Sequence, residues 1–311
     1  MKLLSHIDLP ELRTALAAFG DAVEIRHVAP RAPLPTDFAA DALLTFAAVD
    51  TDIAGLLRAL PSLRWVHVFG TGVDTFPLQH IRADQLLTIG RGASAVPIAE
   101  WTLAMLLAAV KQLPQSWISA PPPEWHRAQL GSLDGQTLAL AGFGNIAQAV
   151  AVRARAFGMR IRALARSERA GTADVEFVRD WNTLVADADH VVLALPLTET
   201  TKNLVDAKAL AALKPGAHLV NIARGGIVDQ EALRAALDSG RLALASLDAV
   251  TPEPLPAGHW LYTHPRVRLS AHISWSAPDT FAVMLRFFLD NVARYLRGEE
   301  PAGRVDISAG Y

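Results

Sequence analysis

The sequence predicts an α/β chain made of two successive units, each a parallel sheet flanked by helices. Three observations point there. Short apolar runs alternate with helix-length segments through almost all 311 residues, the pattern of strands joined by crossover helices. The Pro-rich stretch SAPPPEW, Ser119–Trp125, cannot continue a helix and separates two such series as a connector. Hydrophobic residues make up 51% of the chain, and a chain of this length buries enough surface for about two domains.

In the first series, strands are expected near Lys2–His6, Val23–His27, Ala42–Phe46, Arg64–Phe69 and Leu86–Ile89, with helices near Leu9–Phe19 and Asp52–Leu60. A long helix, Pro97–Leu113, opens on a proline, which suits a first helical position. The second series reads as strands Thr137–Ala141, Arg160–Leu164, Val191–Leu195, His218–Ile222, Leu242–Leu247 and Val267–Ser270. Helices Asn145–Phe157, Asp206–Leu213 and Gln230–Ser239 lie between them, and a last helix, Ala277–Arg297, stops at Gly298. No internal repeat or charge block is visible.

Composition narrows the chemistry. With no cysteine, disulfides, thiolate metal sites and cysteine nucleophiles are excluded. A net charge of −2 is unlike the basic face of a nucleic-acid binder. The start, MKLLSHIDLPELR, lacks the apolar centre of a signal peptide. The most apolar segment, Ala95 to Val110, carries Glu100 and is too short to span a bilayer. The expectation is a soluble, cytoplasmic protein with neither nucleic acid nor membrane as partner.

The segment LALAGFGNIAQAV places Gly142, Gly144 and Ala147 between a strand and a helix. This is the context of a dinucleotide fingerprint: one glycine for the turn, one for close approach of the pyrophosphate, and a small residue for helix–sheet packing. Asn145, Ile146 and Ala147 open the helix, whose N-terminal N–H groups suit a phosphate. At the end of the next strand stand Ala165, Arg166 and Ser167, with no acid until Glu168. A ribose 2′-hydroxyl calls for a carboxylate there, whereas Arg166, aided by Ser167, suits a 2′-phosphate. NADPH is therefore expected over NAD, which stays open as an alternative.

Three later strand tips carry reactive residues. Arg224 ends one and is followed by Gly225 and Gly226; Asp248 ends the next, with Glu253 in the loop behind it; His272 follows a third. Ligands of open parallel sheets bind at this edge. A guanidinium there can hold a carboxylate by two hydrogen bonds, and a histidine beside a glutamate suits proton transfer. The residues alone leave His218, His259 and His264 open beside His272.

With these segments the chain resembles the D-isomer-specific 2-hydroxyacid dehydrogenase family, most closely its NADPH-dependent glyoxylate/hydroxypyruvate reductases. GTGVD at Gly70–Asp74, Ala99-Glu100, LDGQTLALAGFG, LPLTETT at Leu195–Thr201, NIARGGIVD, LDAVTPEPLP and SAHIS match family motifs in order over nearly the whole chain. The resemblance implies two Rossmann-like or flavodoxin-like domains. A cofactor domain, 99–280, would be inserted into a discontinuous substrate domain, 1–98 with 281–311. It implies that Arg224 binds a small 2-oxo acid, that His272 is the acid/base and that Glu253 is its partner. Pro196, Ala223 and Asp248 would line the cofactor, Asp248 near the nicotinamide carboxamide. The backbone at Gly72 and Val73 would hold the substrate carboxylate, with Phe46 near the substrate. No metal is called for, and relatives pair as dimers through the cofactor domain.

The chain departs from the family pattern at Ala271, where proline is usual, at Trp275, where smaller residues are frequent, and in a slightly longer loop after Glu253. Two rivals share the scaffold. One is an NAD-dependent dehydrogenase of another D-2-hydroxy acid, such as phosphoglycerate. The other is a non-enzymatic dinucleotide sensor or corepressor, against which the complete Arg–Glu–His set weighs. The length leads us to expect no extra regulatory domain of the kind longer phosphoglycerate dehydrogenases carry.

Overall fold

The computed structural model describes residues 1–33, 35, 37–47, 51–121, 125, 129–165 and 174–311. Arg166 and Ser167, the residues expected to read the 2′-phosphate, lie outside the described residues, as does part of the Pro-rich connector. Two compact units are present: Met1–Ser94 with Ala277–Tyr311, and Ala95–Ser276.

The first unit begins β1 (Lys2–Ser5), α1 (Pro10–Ala17), β2 (Glu24–His27), β3 (Ala42–Thr45), α2 (Ile53–Ala59), β4 (Trp65–Val68) and β5 (Leu86–Ile89). The second unit runs α3 (Ala95–Val110), β6 (Thr137–Ala141), α4 (Asn145–Ala156), β7 (Arg160–Leu164), β8 (Glu176–Val178), α5 (Trp181–Val185) and β9 (His190–Leu193). It continues with α6 (Ala207–Ala211), β10 (Ala217–Asn221), α7 (Gln230–Asp238), β11 (Leu242–Leu247) and β12 (Val267–Leu269). The chain then returns to the first unit as α8 (Thr280–Leu296).

Both sheets are wholly parallel. The first has the order β2-β1-β3-β4-β5 and the second β12-β11-β10-β9-β6-β7-β8. Inner strands such as β3, β6 and β9 are buried on both faces, so they read as largely continuous apolar runs rather than alternating ones. In the first sheet Leu4, Leu43 and Val66 face one cluster with Leu56 and Leu57 of α2. Leu3, Leu44 and Trp65 face another with Leu12 of α1 and Phe288 of α8. The second sheet divides likewise: Leu138, Leu140 and Val192 pack on the α3–α4 side, and Ala139, Val191 and Leu219 on the α5–α7 side.

Several element boundaries differ from expectation for local reasons. Helix α3 starts at Ala95, so Pro97 is its third residue rather than its first. Its missing N–H costs nothing there, because the first-turn donors have no intrahelical partner. Strand β8 and helix α5 were not foreseen. They are three and five residues long, too short for a periodic signal. No helix among the described residues is long and apolar enough to cross a membrane.

Candidate active site

Parallel strands bring all their C-terminal ends to one edge, and ligands settle where the strand order reverses. In the second sheet that reversal lies between β6 and β9. Gly142 occupies it with φ +93°, and a Cβ there would stand 2.7 Å from the Ala194 carbonyl oxygen. Only glycine combines that dihedral with so close an approach. Gly144 is the N-cap of α4 and has no side chain to close the helix end; a Cβ on it would meet nothing within 4 Å. Ala147 is fully buried in the cluster under α4. Ile146 packs beside it, and Asn145 is exposed on the first turn. These residues form an open cradle with unspent backbone donors, which fits a pyrophosphate. Beside it Thr201 Oγ1 donates to the Pro196 carbonyl at 2.7 Å, which folds the LPLTETT segment back on itself.

Arg224 follows β10, and a buried asparagine shapes its turn. Asn221 donates from Nδ2 to the carbonyls of Arg224 and Ala249 at 3.0 and 3.1 Å. Its Oδ1 accepts from the Ala223 N–H at 3.1 Å. The half-buried Arg224 places one guanidinium N–H on the Ala223 carbonyl at 2.8 Å. Gly225 is required by packing, because a Cβ would coincide with the Val250 carbonyl. The arginine turn therefore lies directly on the loop that carries Glu253. Gln230, the first residue of α7, clamps the same loop, with Nε2 donating to the Thr251 carbonyl at 2.6 Å and Oε1 accepting its N–H at 3.1 Å.

Glu253 and His272 meet. Nδ1 of His272 lies 2.8 Å from Oε2 of Glu253, while Oε1 accepts the Val250 N–H at 2.9 Å. Both side chains are a little over one-third exposed, at 37% and 38%, so the ring is paired and still reachable. Asp248, buried at the end of β11, organises the segment that holds the histidine. Its Oδ1 accepts from Ser270 Oγ at 2.5 Å and from the Ile273 N–H at 2.9 Å. Its Oδ2 accepts from the Ser274 N–H at 3.0 Å. A cavity of about 490 Å³ opens beside the pair, lined by Asp248, Glu253, Leu255, Tyr262, Leu269 and His272.

The other candidate histidines lie elsewhere. His218 is buried on β10 and meets His190, its register partner on β9, with Nδ1 atoms 3.1 Å apart. His259 accepts the Leu261 N–H at 3.3 Å in a short helical turn. His264 faces Asp238 at 3.1 Å, near the start of β12, with a mostly covered ring. In the first unit, Phe46 follows β3 and meets Phe69 edge-on at 5.9 Å. Gly72 and the buried Val73 stand in the loop after β4. Sequence reasoning passed over Asn221, Gln230 and Ser270. A polar residue in a fully buried strand was the one available signal, and it marked Asn221.

The model of the D-isomer specific 2-hydroxyacid dehydrogenase NAD-binding domain matches residues 103–274. The chain is 32% identical over 275 residues to D-3-phosphoglycerate dehydrogenase of Bacillus subtilis, an alignment covering 86% of this chain and 52% of that protein. It thus spans about half the length of that relative. It is 35% identical over 204 residues to hydroxypyruvate reductase of Thermotoga maritima, covering 65% of this chain and 66% of the other. Among solved structures, an NADPH-dependent glyoxylate/hydroxypyruvate reductase from Sinorhizobium meliloti in complex with citrate superposes with a TM-score of 0.79. It is 25% identical, with 99% of this chain and 98% of that one covered.

Proposed function

The chain belongs to the D-isomer specific 2-hydroxyacid dehydrogenase family, and from that premise we propose that it reduces glyoxylate or hydroxypyruvate to the 2-hydroxy acid with NADPH. The observation that carries this reading is the 2.8 Å imidazole–carboxylate pair at the strand edge that also bears Arg224.

Arg224 holds the carboxylate of the 2-oxo acid through paired N–H donors and stabilises charge growing on the carbonyl oxygen. His272 delivers the proton from Nε2, because Nδ1 is engaged by Glu253. The glutamate orients the ring and stabilises the imidazolium before the proton leaves. Gly142, Gly144 and the first turn of α4, Asn145 to Ala147, would hold the cofactor pyrophosphate, and Pro196, Ala223 and Asp248 would line the dinucleotide. When bound, the reduced cofactor supplies the hydride. Phe46, Gly72 and Val73 of the first unit are further substrate contacts in this reading. The active form is a homodimer joined through the second unit, which sedimentation would test.

The phosphoglycerate dehydrogenase relative favours a second reading, in which a phosphorylated 2-oxo acid and NAD(H) are used. Steady-state rates with glyoxylate, hydroxypyruvate, 3-phosphohydroxypyruvate and a bulkier 2-oxo acid, each with NADPH and NADH, separate the two. We expect the highest kcat/KM with an unphosphorylated small acid and NADPH; a clear preference for the phosphorylated acid with NADH would replace our reading by the second. Changing Ala165→Asp with Arg166→Leu should shift the NADPH/NADH ratio of kcat/KM toward NADH by roughly tenfold or more, the worth of a charge-assisted phosphate contact. An unchanged ratio would remove Arg166 from cofactor selection.

A further inference from the structure

We infer that Trp275 is a positioning residue for His272, its indole N–H holding the turn on which the imidazole stands. The role of His272 rests on the functional reading above; the rest is geometry. His272 has φ +55°, a left-handed conformation that side-chain-bearing residues adopt rarely and keep only where their surroundings over-determine it. The ties at His272 are unusually complete. Its N–H donates to the Asp248 carbonyl at 2.9 Å. The next two N–H groups donate to the two oxygens of the Asp248 carboxylate. Its own carbonyl accepts from Trp275 Nε1 at 2.8 Å.

Asp248 thus holds the amide side of the turn and Trp275 its carbonyl side. The indole is a firm donor because it is half-buried and packs on the apolar cluster formed with α3 and α4. A small residue at 275 has no group that reaches back to this carbonyl. If φ at 272 relaxes toward negative values, the Cα–Cβ bond turns and the imidazole leaves Glu253. Arg224 and the glycine turn after β6 stand on other segments and are not disturbed. Proton delivery should suffer while binding does not.

Trp275→Phe keeps an aromatic ring in the cluster and removes the N–H. We expect kcat to fall about tenfold, with KM for 2-oxo acid and cofactor within about twofold, as for a misplaced proton donor rather than a lost binding contact. The solvent deuterium effect on kcat should rise, and amide exchange should quicken within residues 270–276. Wild-type kcat in this variant, or unchanged exchange in that segment, would overturn the inference. A variant that does not fold leaves a direct measurement on the wild-type protein. With ¹⁵N-labelled indoles, slow exchange of the Trp275 N–H supports the bond and free exchange overturns it. Absence of any 2-oxo acid turnover by the wild-type protein sinks the functional reading instead, and the exchange experiments then decide whether Trp275 holds the turn.

Discussion

Two histidine pairings sit at opposite edges of the same parallel sheet, and they have opposite character. At the C-terminal edge His272 meets a carboxylate, stays reachable by solvent and stands on a strained backbone. At the N-terminal end His190 meets His218, and both rings are buried. There a chain of hydrogen bonds links β11, β10 and β9 to Gln136, the residue before β6. In the neutral tautomers that burial favours, Ser246 Oγ–H donates to His218 Nε2 at 2.9 Å, His218 Nδ1–H to His190 Nδ1 at 3.1 Å, and His190 Nε2–H to Gln136 Oε1 at 2.7 Å. With both imidazoles neutral, every group in this chain is satisfied. Burial lowers His190 from 6.5 to about 4, against the pull of Asp189 and with the push of Lys214; it lowers His218 well below its usual value. The contrast sets access and a charged partner, which suit proton transfer, against burial and a neutral network, which suit packing.

The sharpest way to break this contrast is at the exposed pair. His272→Ala should lower kcat by about 10³-fold, the scale of a lost acid/base group, with little change in melting temperature because the ring is partly exposed. Near-normal turnover would place the proton donor elsewhere. Arg224→Ala should reduce kcat/KM for the 2-oxo acid by about 10²-fold or more, as when a preorganised charge contact is deleted, with the cofactor KM little affected.

The buried pair should show the reverse, an effect on stability with none on turnover. Since the folded-state pKa of His190 is about 4 against 6.5 when exposed, the unfolded chain binds more protons between those values. Stability is complete above pH 6.5 and declines as pH falls toward 4, by about 3 kcal/mol from this group. Urea unfolding from pH 7.5 to 4 measures that slope, and a His190→Leu/His218→Leu variant should flatten it while retaining kcat at pH 7. The smallest effect is expected for Ser246→Ala, which strands His218 Nε2 and should cost about 1–2 kcal/mol without altering kcat. A loss of turnover in either buried variant would mean that the two edges of the sheet are coupled.

The legible part of this molecule is the part set by local pattern. Continuous apolar runs between helix-length segments disclosed the α/β class with two parallel sheets, and GFGNIA disclosed a glycine turn at a helix start. Elements as short as β8 and α5 have no period to read. The residues alone offered no choice among four candidate histidines, and only the family resemblance pointed to His272 with Glu253, because the group facing each ring comes from another segment: Glu253 for His272, 19 positions away, and His190 for His218, 28 positions away. Trp275 was visible as a departure from the family pattern, but the acceptor of its N–H was not.

By itself, then, the chain's residue order determined the secondary structure rhythm, the glycine at the strand reversal and which reactive residues end each strand, since these follow from local sterics and burial. Only the tertiary structure decided which imidazole meets a carboxylate in reach of solvent and which lies neutral in the core. That choice depends on the register of neighbouring strands, on the approach of the 250–253 loop and on the dihedral angles at a single residue, all of which are products of packing.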